Sequence, residues 1–248
     1  MKTSRIESFD GTTLAIHRLG SGPPVVMLHG LFSDAAMNWI KFGHAQAVAD
    51  AGFEAIMPDL RAHGDSDKPH DAESYPRDVL IRDLTALLDR LEIGSYDLVG
   101  FSLGARTALH AVIDGLAPEK LVLIGMGLEG LREWDRRAAF FVDAIDRFDE
   151  IKRGDPAWFA RSFMKSMNTD RIAARHLLGT MGQTGSDELA KVAMPTRVIC
   201  GKDDTDNGSA SALADLIPQG SFVEIPGTHM SSVAEPAMGA EIVRFLKD

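Results

Sequence analysis

The run Tyr96-Asp97-Leu98-Val99-Gly100-Phe101-Ser102-Leu103-Gly104-Ala105-Arg106 constrains this chain more than any other stretch. An apolar segment ends in Gly-x-Ser-x-Gly, and a helix-forming segment, Thr107-Ala108-Leu109-His110-Ala111-Val112-Ile113, follows at once. A strand that turns straight into a helix strains the residue at the corner. Its neighbours two places away must lack side chains so that strand and helix can pass closely. Such a corner lifts the serine hydroxyl out at the C-terminal edge of a sheet. The helix N-terminus beneath it offers free N–H groups and a partial positive charge, both suited to a developing oxyanion. This is the sequence form of a nucleophile elbow, which needs a strand before it and a helix after it.

The rest of the chain supplies that context. Residues 4–9 and 13–19 read as two short strands joined at Asp10-Gly11, a hairpin turn signal. Val25-Val26-Met27-Leu28 is apolar without alternation, as a parallel strand covered on both faces tends to be. A helix is expected near 40–51, a strand at 53–57 and a polar loop over 58–76. An amphipathic helix over 77–91 carries Val79, Leu80, Leu84, Leu87, Leu88 and Leu91 on one face. Another buried strand covers 121–124. The alternation then stops for a stretch of helical spacing: Trp134, Ala138, Phe141, Val142, Ile145 and Phe148, then 156–167 and 171–181. It resumes at 196–200, 209–217, 222–225 and 238–246. Strands alternating with helices imply an α/β fold, with a mostly parallel central sheet flanked by helices. The chain divides into a core, 1–126 and 191–248, and a helical insertion, 127–190, expected over the serine.

Composition narrows the partners. A chain of 248 residues suffices for one large α/β domain. The net charge of −10 disfavours nucleic acid and anionic membrane surfaces, which reward clustered Lys and Arg. The single cysteine, Cys200, excludes an internal disulfide, and its apolar surroundings mark a buried thiol. The first residues have no apolar signal core, and no run approaches a membrane span, so a cytoplasmic protein is the expectation. No spacing suits a metal. A monomer or homodimer without cofactor is expected.

A nucleophilic serine needs a base, and the base needs an orienting carboxylate. Of eight histidines, His229 follows the last expected strand and falls at the sheet edge where Ser102 emerges. The carboxylate candidates follow the strand at 196–200, in Gly201-Lys202-Asp203-Asp204-Thr205-Asp206. Physics alone does not separate Asp204 from Asp203 or Asp206, and Glu129 after the preceding strand is a further alternative. The oxyanion donors would be the N–H of Leu103 and one from His29-Gly30-Leu31-Phe32, with Leu31 favoured and Gly30 letting that backbone come close.

These pieces together resemble the α/β-hydrolase superfamily over nearly the whole chain. The matching segments are His29-Gly30-Leu31-Phe32, the loop Asp59-Leu60-Arg61-Ala62-His63-Gly64-Asp65-Ser66, Gly100–Gly104, Gly201–Asp204 and Gly227-Thr228-His229. Ala62 stands where glycine is commoner in the family. The resemblance implies a triad in the order Ser102, Asp204, His229, because the family's acid usually lies three residues after the glycine corresponding to Gly201. It also implies that His29, Asp59, Arg61 and His63 brace loops. Serine in place of the family's aspartate nucleophile ends the resemblance to haloalkane dehalogenases and epoxide hydrolases at the fold. The nearest resemblance is to small capped carboxylesterases and lactonases.

The function expected is hydrolysis of a small carboxylic ester or lactone through an acyl-enzyme. Two alternatives use the same fold: acyl transfer or perhydrolysis at the same site, and a ligand receptor without turnover. The insertion is read as a cap, with Phe32, Met126, Phe141, Trp158, Phe163 and Met230 as candidate pocket residues. Arg106, Arg132, Arg136 and Arg137 are read as solvated surface in preference to carboxylate binders.

Overall fold

The computed structural model describes all residues, 1–248. Eight strands form one sheet in the order β1-β2-β4-β3-β5-β6-β7-β8. They are β1 Lys2–Glu7, β2 Thr13–Gly20, β3 Pro24–Leu28, β4 Glu54–Pro58, β5 Asp97–Phe101, β6 Leu121–Ile124, β7 Thr196–Gly201 and β8 Gly220–Ile225. The hairpin β1–β2 joins the sheet antiparallel at β4, and every other pairing is parallel. Strand order reverses direction between β3 and β5. In an open α/β sheet the crevice beyond the strand ends at such a switch point is where ligands bind. Here β3 leads into His29–Phe32 and β5 into Ser102.

The apolar strands bury both faces, which is why their sequences do not alternate. Val26, Leu28, Ile56, Leu98, Leu121, Leu123 and Val198 face one layer of the core. That layer holds the helices α2 Val79–Arg90, α3 Leu103–Ile113 and α8 Ala210–Leu216. Val25, Met27, Ala55, Met57, Val99, Val122, Ile124 and Ile199 face the other. It is closed by α1 His44–Asp50 and α9 Pro236–Lys247. No helix is long and apolar enough to cross a membrane.

Two departures from the sequence expectation have local causes. The single helix expected near 40–51 is split. Gly43 adopts φ +82°, a left-handed conformation that ends a wide helical turn over Ala36–Ile40 before α1 begins. The insertion holds four helices rather than three: α4 Leu128–Arg132, α5 Trp134–Asp146, α6 Trp158–Ser166 and α7 Arg171–Leu178. The chain leaves helical geometry at Glu133, between α4 and α5, where φ is −113° and ψ +34°.

One polar network ties the long loop before α2 to the body. Arg61 is fully buried. It donates from Nη1 to Asp10 at 2.6 Å and from Nη2 to Asp83 at 2.7 Å. Asp83 lies among the apolar residues of the α2 face, a place an isolated carboxylate would not occupy.

Asp97 opens β5 as a less well matched group. Its Oδ1 is buried without a partner. Burial, only partly offset by Lys120, pushes its pKa from 3.8 up to about 6. A carboxyl raised in the folded state opposes folding once it ionises, so stability falls as pH climbs from about 4 to about 6 and stays lower above. Asp97→Asn is therefore expected to raise Tm near neutral pH, with the gain shrinking toward about pH 4. Thermal melts of both proteins across that range check this, and an equal or lower Tm for the variant near neutrality would refute it.

Candidate active site

Ser102 occupies the corner between β5 and α3 at φ +52° and ψ −110°, a conformation a side chain rarely adopts. The flanking glycines show why it is held there. A Cβ on Gly100 would run into the backbone of Gly104 and Ala105, and one on Gly104 into the carbonyls of Leu28 and His29. The Ser102 N–H donates to Ile124 O at 2.8 Å, fixing the corner against β6.

His229 and Asp204 meet this serine. Asp204 Oδ2 accepts from His229 Nδ1 at 2.8 Å, so Nδ1 carries the proton. Nε2 is then the acceptor for the Ser102 hydroxyl, at 3.0 Å. Both Asp204 and His229 are buried. His229 also packs on Phe101, ring centroids 5.1 Å apart. Burial works against the Asp204 charge. The His229 hydrogen bond, the imidazole charge, the Asp206 N–H and the Cys200 thiol outweigh it and hold the carboxyl below its ordinary range. Cys200 is buried as expected, with its thiol pushed up to about 12 by burial and by Asp204.

Of the other acid candidates, Asp203 is exposed, and Asp206 lies within 4.8 Å of Asp204 and His229 but makes no hydrogen bond to the histidine. The Asp203 backbone donates to Gly227 O and the Asp204 backbone to Gly201 O, a tight turn that leaves Asp204 toward the histidine. Glu129 accepts instead from the Ser209 N–H at 2.8 Å.

The N–H groups of Leu103 and Leu31 have no protein acceptor. Leu103 begins α3, so its N–H has no partner in the helical ladder. Leu31 lies beside Gly30, where a Cβ would stand 3.5 Å from Ser102 Cβ. Its neighbour Phe32 is excluded as a donor because its N–H goes to His63 Nε2 at 3.0 Å. The loop carrying Leu31 is braced throughout. His29 Nε2 accepts from Leu60 N–H at 2.9 Å, and Asp59 accepts from Ala35 N–H at 2.9 Å and Asp65 N–H at 2.8 Å. Both histidines must be neutral to accept. Burial lowers His63 to about 3 and lowers His29 as well.

A cleft of about 1060 Å³ opens above Ser102, between the sheet edge and α4–α6. Phe32, Met126, Phe141, Trp158, Phe163 and Met230 all line it, as do Leu31, Leu103 and His229. Phe32 meets Phe141 edge-on, with centroids 5.6 Å apart. Trp134, Phe140 and Phe159 complete the aromatic wall. Two sequence expectations are overturned: Arg106 is not solvated surface but 1% exposed, and Arg137 is half-buried, both lining the cleft. The position of Arg106 one helical turn after Ser102, on a helix apolar all round, was the available signal.

Two clusters bring ligand-type atoms within 4.8 Å: Asp204, Asp206 and His229, and His17, Asp59 and Asp65. In the first, Asp204 is already engaged by His229 and the Asp206 N–H. In the second, Asp59 already accepts from two N–H groups and His17.

Comparison with known proteins agrees with this architecture. Residues 23–153 match the family model for the alpha/beta hydrolase fold, and the chain belongs to that family. The AB hydrolase superfamily protein YisY of Bacillus subtilis (strain 168) is 25% identical over 224 residues, 80% of this chain and 81% of its own length. An epoxide hydrolase of Caballeronia sordidicola is 37% identical over 115 residues, 45% of this chain and 34% of that one. The chain thus spans about a third of the length of the curated epoxide hydrolases it matches. Among solved structures, an esterase from Exiguobacterium antarcticum superposes with a TM-score of 0.79 at 20% identity, over all of both chains. An enol-lactonase from Burkholderia xenovorans LB400 does so at 0.77 and 22%, over 99% of this chain and 100% of that one. At these identities the likeness is one of fold.

The close approach at the corner is testable by adding one carbon. Gly104→Ala is expected to cost about 1–3 kcal/mol or more, because the clash is with backbone that has nowhere to move. Gly94→Ala, where a Cβ meets nothing within 4 Å, is the control. Urea denaturation gives both values, and equal stabilities would contradict the packing described.

Proposed function

We propose that the chain is a serine hydrolase of small carboxylic esters or lactones that works through an acyl-enzyme on Ser102. The observation that carries this is the unbroken hydrogen-bonded line from Ser102 Oγ through His229 to Asp204, at 3.0 and 2.8 Å. In this reading Ser102 Oγ attacks the carbonyl carbon and its proton passes to His229 Nε2. The Asp204 carboxylate holds the imidazole in the accepting tautomer and stabilises the imidazolium. The carbonyl oxygen gains charge against the Leu31 and Leu103 N–H groups. Collapse expels the alcohol, or opens the lactone ring, and the leaving oxygen takes the Nε2 proton. Water then adds to the acyl carbon, giving a proton to Nε2, and Ser102 recovers it as the acid departs.

The relatives named as epoxide hydrolases raise a second chemistry, and the nucleophile argues against it. Serine opening an epoxide would form an ether to the protein, which water does not cleave at a site built for acyl transfer. An acyl group on serine is an ester, which the same base and oxyanion donors can hydrolyse. The helices α4–α6 serve in this reading as a cap that walls the acyl or alcohol group from water.

Initial rates on p-nitrophenyl esters from acetate to dodecanoate, and on simple lactones, test the proposal. Ser102→Ala and His229→Ala are each expected to lower turnover about 10⁴-fold or more. Asp204→Asn is expected to fall by about 10⁴-fold, as loss of the orienting carboxylate does, whereas Asp203→Asn is not. Turnover at wild-type rate in Ser102→Ala, or none on any ester or lactone by the folded wild type, would refute it.

A further inference from the structure

The cleft over Ser102 inverts the charge of the molecule around it. The chain has a net charge of −10. Apart from His229, the charged side chains lining the cleft are Arg106, Arg136 and Arg137 against Asp206 alone. Arg136 is paired with Glu133, the residue just before its helix, at 2.5 Å. The hydrogen bonds of Arg106 and Arg137, in contrast, all go to backbone carbonyls. Arg106 donates to Gly130 O, Leu131 O and Gly182 O, and Arg137 to Asp206 O.

Arg106 is the more constrained of the two. It sits in the first turn of α3, four residues after Ser102 and about 6 Å further along the helix axis. Its guanidinium lies 4.6 Å from the centre of the Trp134 ring, which also lines the cleft. A guanidinium offers five N–H bonds. Three of them meet the carbonyls of Gly130, Leu131 and Gly182. The Nε–H is buried with no partner. Burial, with the charge of Arg137 added to it, lowers Arg106 to about 10. Burial lowers Arg137 too, against the pull of Asp206 and Asp204. A buried cation without a counterion is costly, and an anionic ligand group relieves that cost.

We propose that Arg106 and Arg137 form an anion subsite that selects substrates bearing a free carboxylate beside the scissile bond: half-esters of dicarboxylic acids, or lactones carrying a carboxylate. A single negative charge suits the pair, because Asp206 and Asp204 already lie near Arg137. The aromatic wall of Trp134, Phe141, Trp158 and Phe163 suits the carbon chain between the two ends. The net charge of the molecule gives anions no long-range attraction, so the discrimination acts in the bound state. This inference rests on the hydrolase reading for the bond that is cleaved, but not for the anion site itself.

Two measurements separate the two ideas. The first compares kcat/KM, by pH-stat, for the monomethyl and dimethyl esters of succinate, glutarate and adipate. The best half-ester is expected to exceed its neutral diester by about 10-fold or more, the scale of a charge-assisted hydrogen bond. Arg137→Met and Arg106→Met are each expected to collapse that ratio toward one. Arg137, on α5, keeps the test decisive if Arg106→Met fails to fold. The second is calorimetric binding of glutarate and its homologues to Ser102→Ala, with and without Arg137→Met. Diester turnover with no half-ester preference and no dicarboxylate binding would overturn the anion site and leave the hydrolase reading standing. Dicarboxylate binding that Arg137→Met abolishes, in a protein that cleaves none of these esters and none of the p-nitrophenyl esters or lactones, would support the anion site and remove the hydrolase reading.

Discussion

The geometry at Ser102 depends on how closely the backbone of Gly104 passes the carbonyls of Leu28 and His29. That contact sets the first turn of α3 against the end of β3, with no side chain between them. Leu103 opens that turn and Leu31 lies on the loop after β3, so the two N–H groups without a protein acceptor sit on elements that this contact holds together. A methyl group at position 104 would push these elements apart and separate the two donors. The strained conformation of Ser102 persists because strand, helix and neighbouring loop all over-determine it.

The loop that supplies Leu31 has little regular structure, so its rigidity must come from side chains. His29 and His63 each take a backbone N–H through Nε2 and each return a proton, from Nδ1, to a backbone carbonyl. Asp59 gathers further N–H groups from both sides. Arg61 then anchors this braced pair of loops to the β1–β2 hairpin through Asp10 and to α2 through Asp83. These are buried polar groups with nearly every position satisfied, the condition under which such a network rigidifies a fold instead of weakening it. The loop beside Ser102 is thus held by residues that do not line the cleft.

The parts of this arrangement governed by local rules were legible in the residues. The Gly100–Gly104 motif has one backbone solution, and the apolar strands and α2 follow from periodicity. The choice of Asp204 over Asp203 was not legible from physics. It turns on which of two adjacent backbone N–H groups meets Gly227 and which meets Gly201, a register that only the packed loop defines. Asp83 was hidden inside an amphipathic face because its partner Arg61 is remote in the chain. Arg106 was misjudged by type, since arginine is usually exposed. Yet Thr107, Ala108, Leu109, Ala111 and Val112 around it are all buried, so α3 has almost no wet side on which to place it.

In the proposed reading, the atoms that react and the atoms that select come from separate stretches of chain. Ser102, Leu103, Leu31, Asp204 and His229 belong to the sheet edge, whereas most of the cleft wall belongs to the helices between β6 and β7. A change in those helices would alter the shape of the cleft without moving Ser102, His229 or Asp204. The fold therefore lets the shape of the cleft vary independently of the sheet edge. Arg106 is the exception, because it stands on the nucleophile's own helix and is fastened by three hydrogen bonds to backbone carbonyls beyond β6. Any lineage that exchanged the helical segment for another would have to keep those carbonyls in place or give up the arginine.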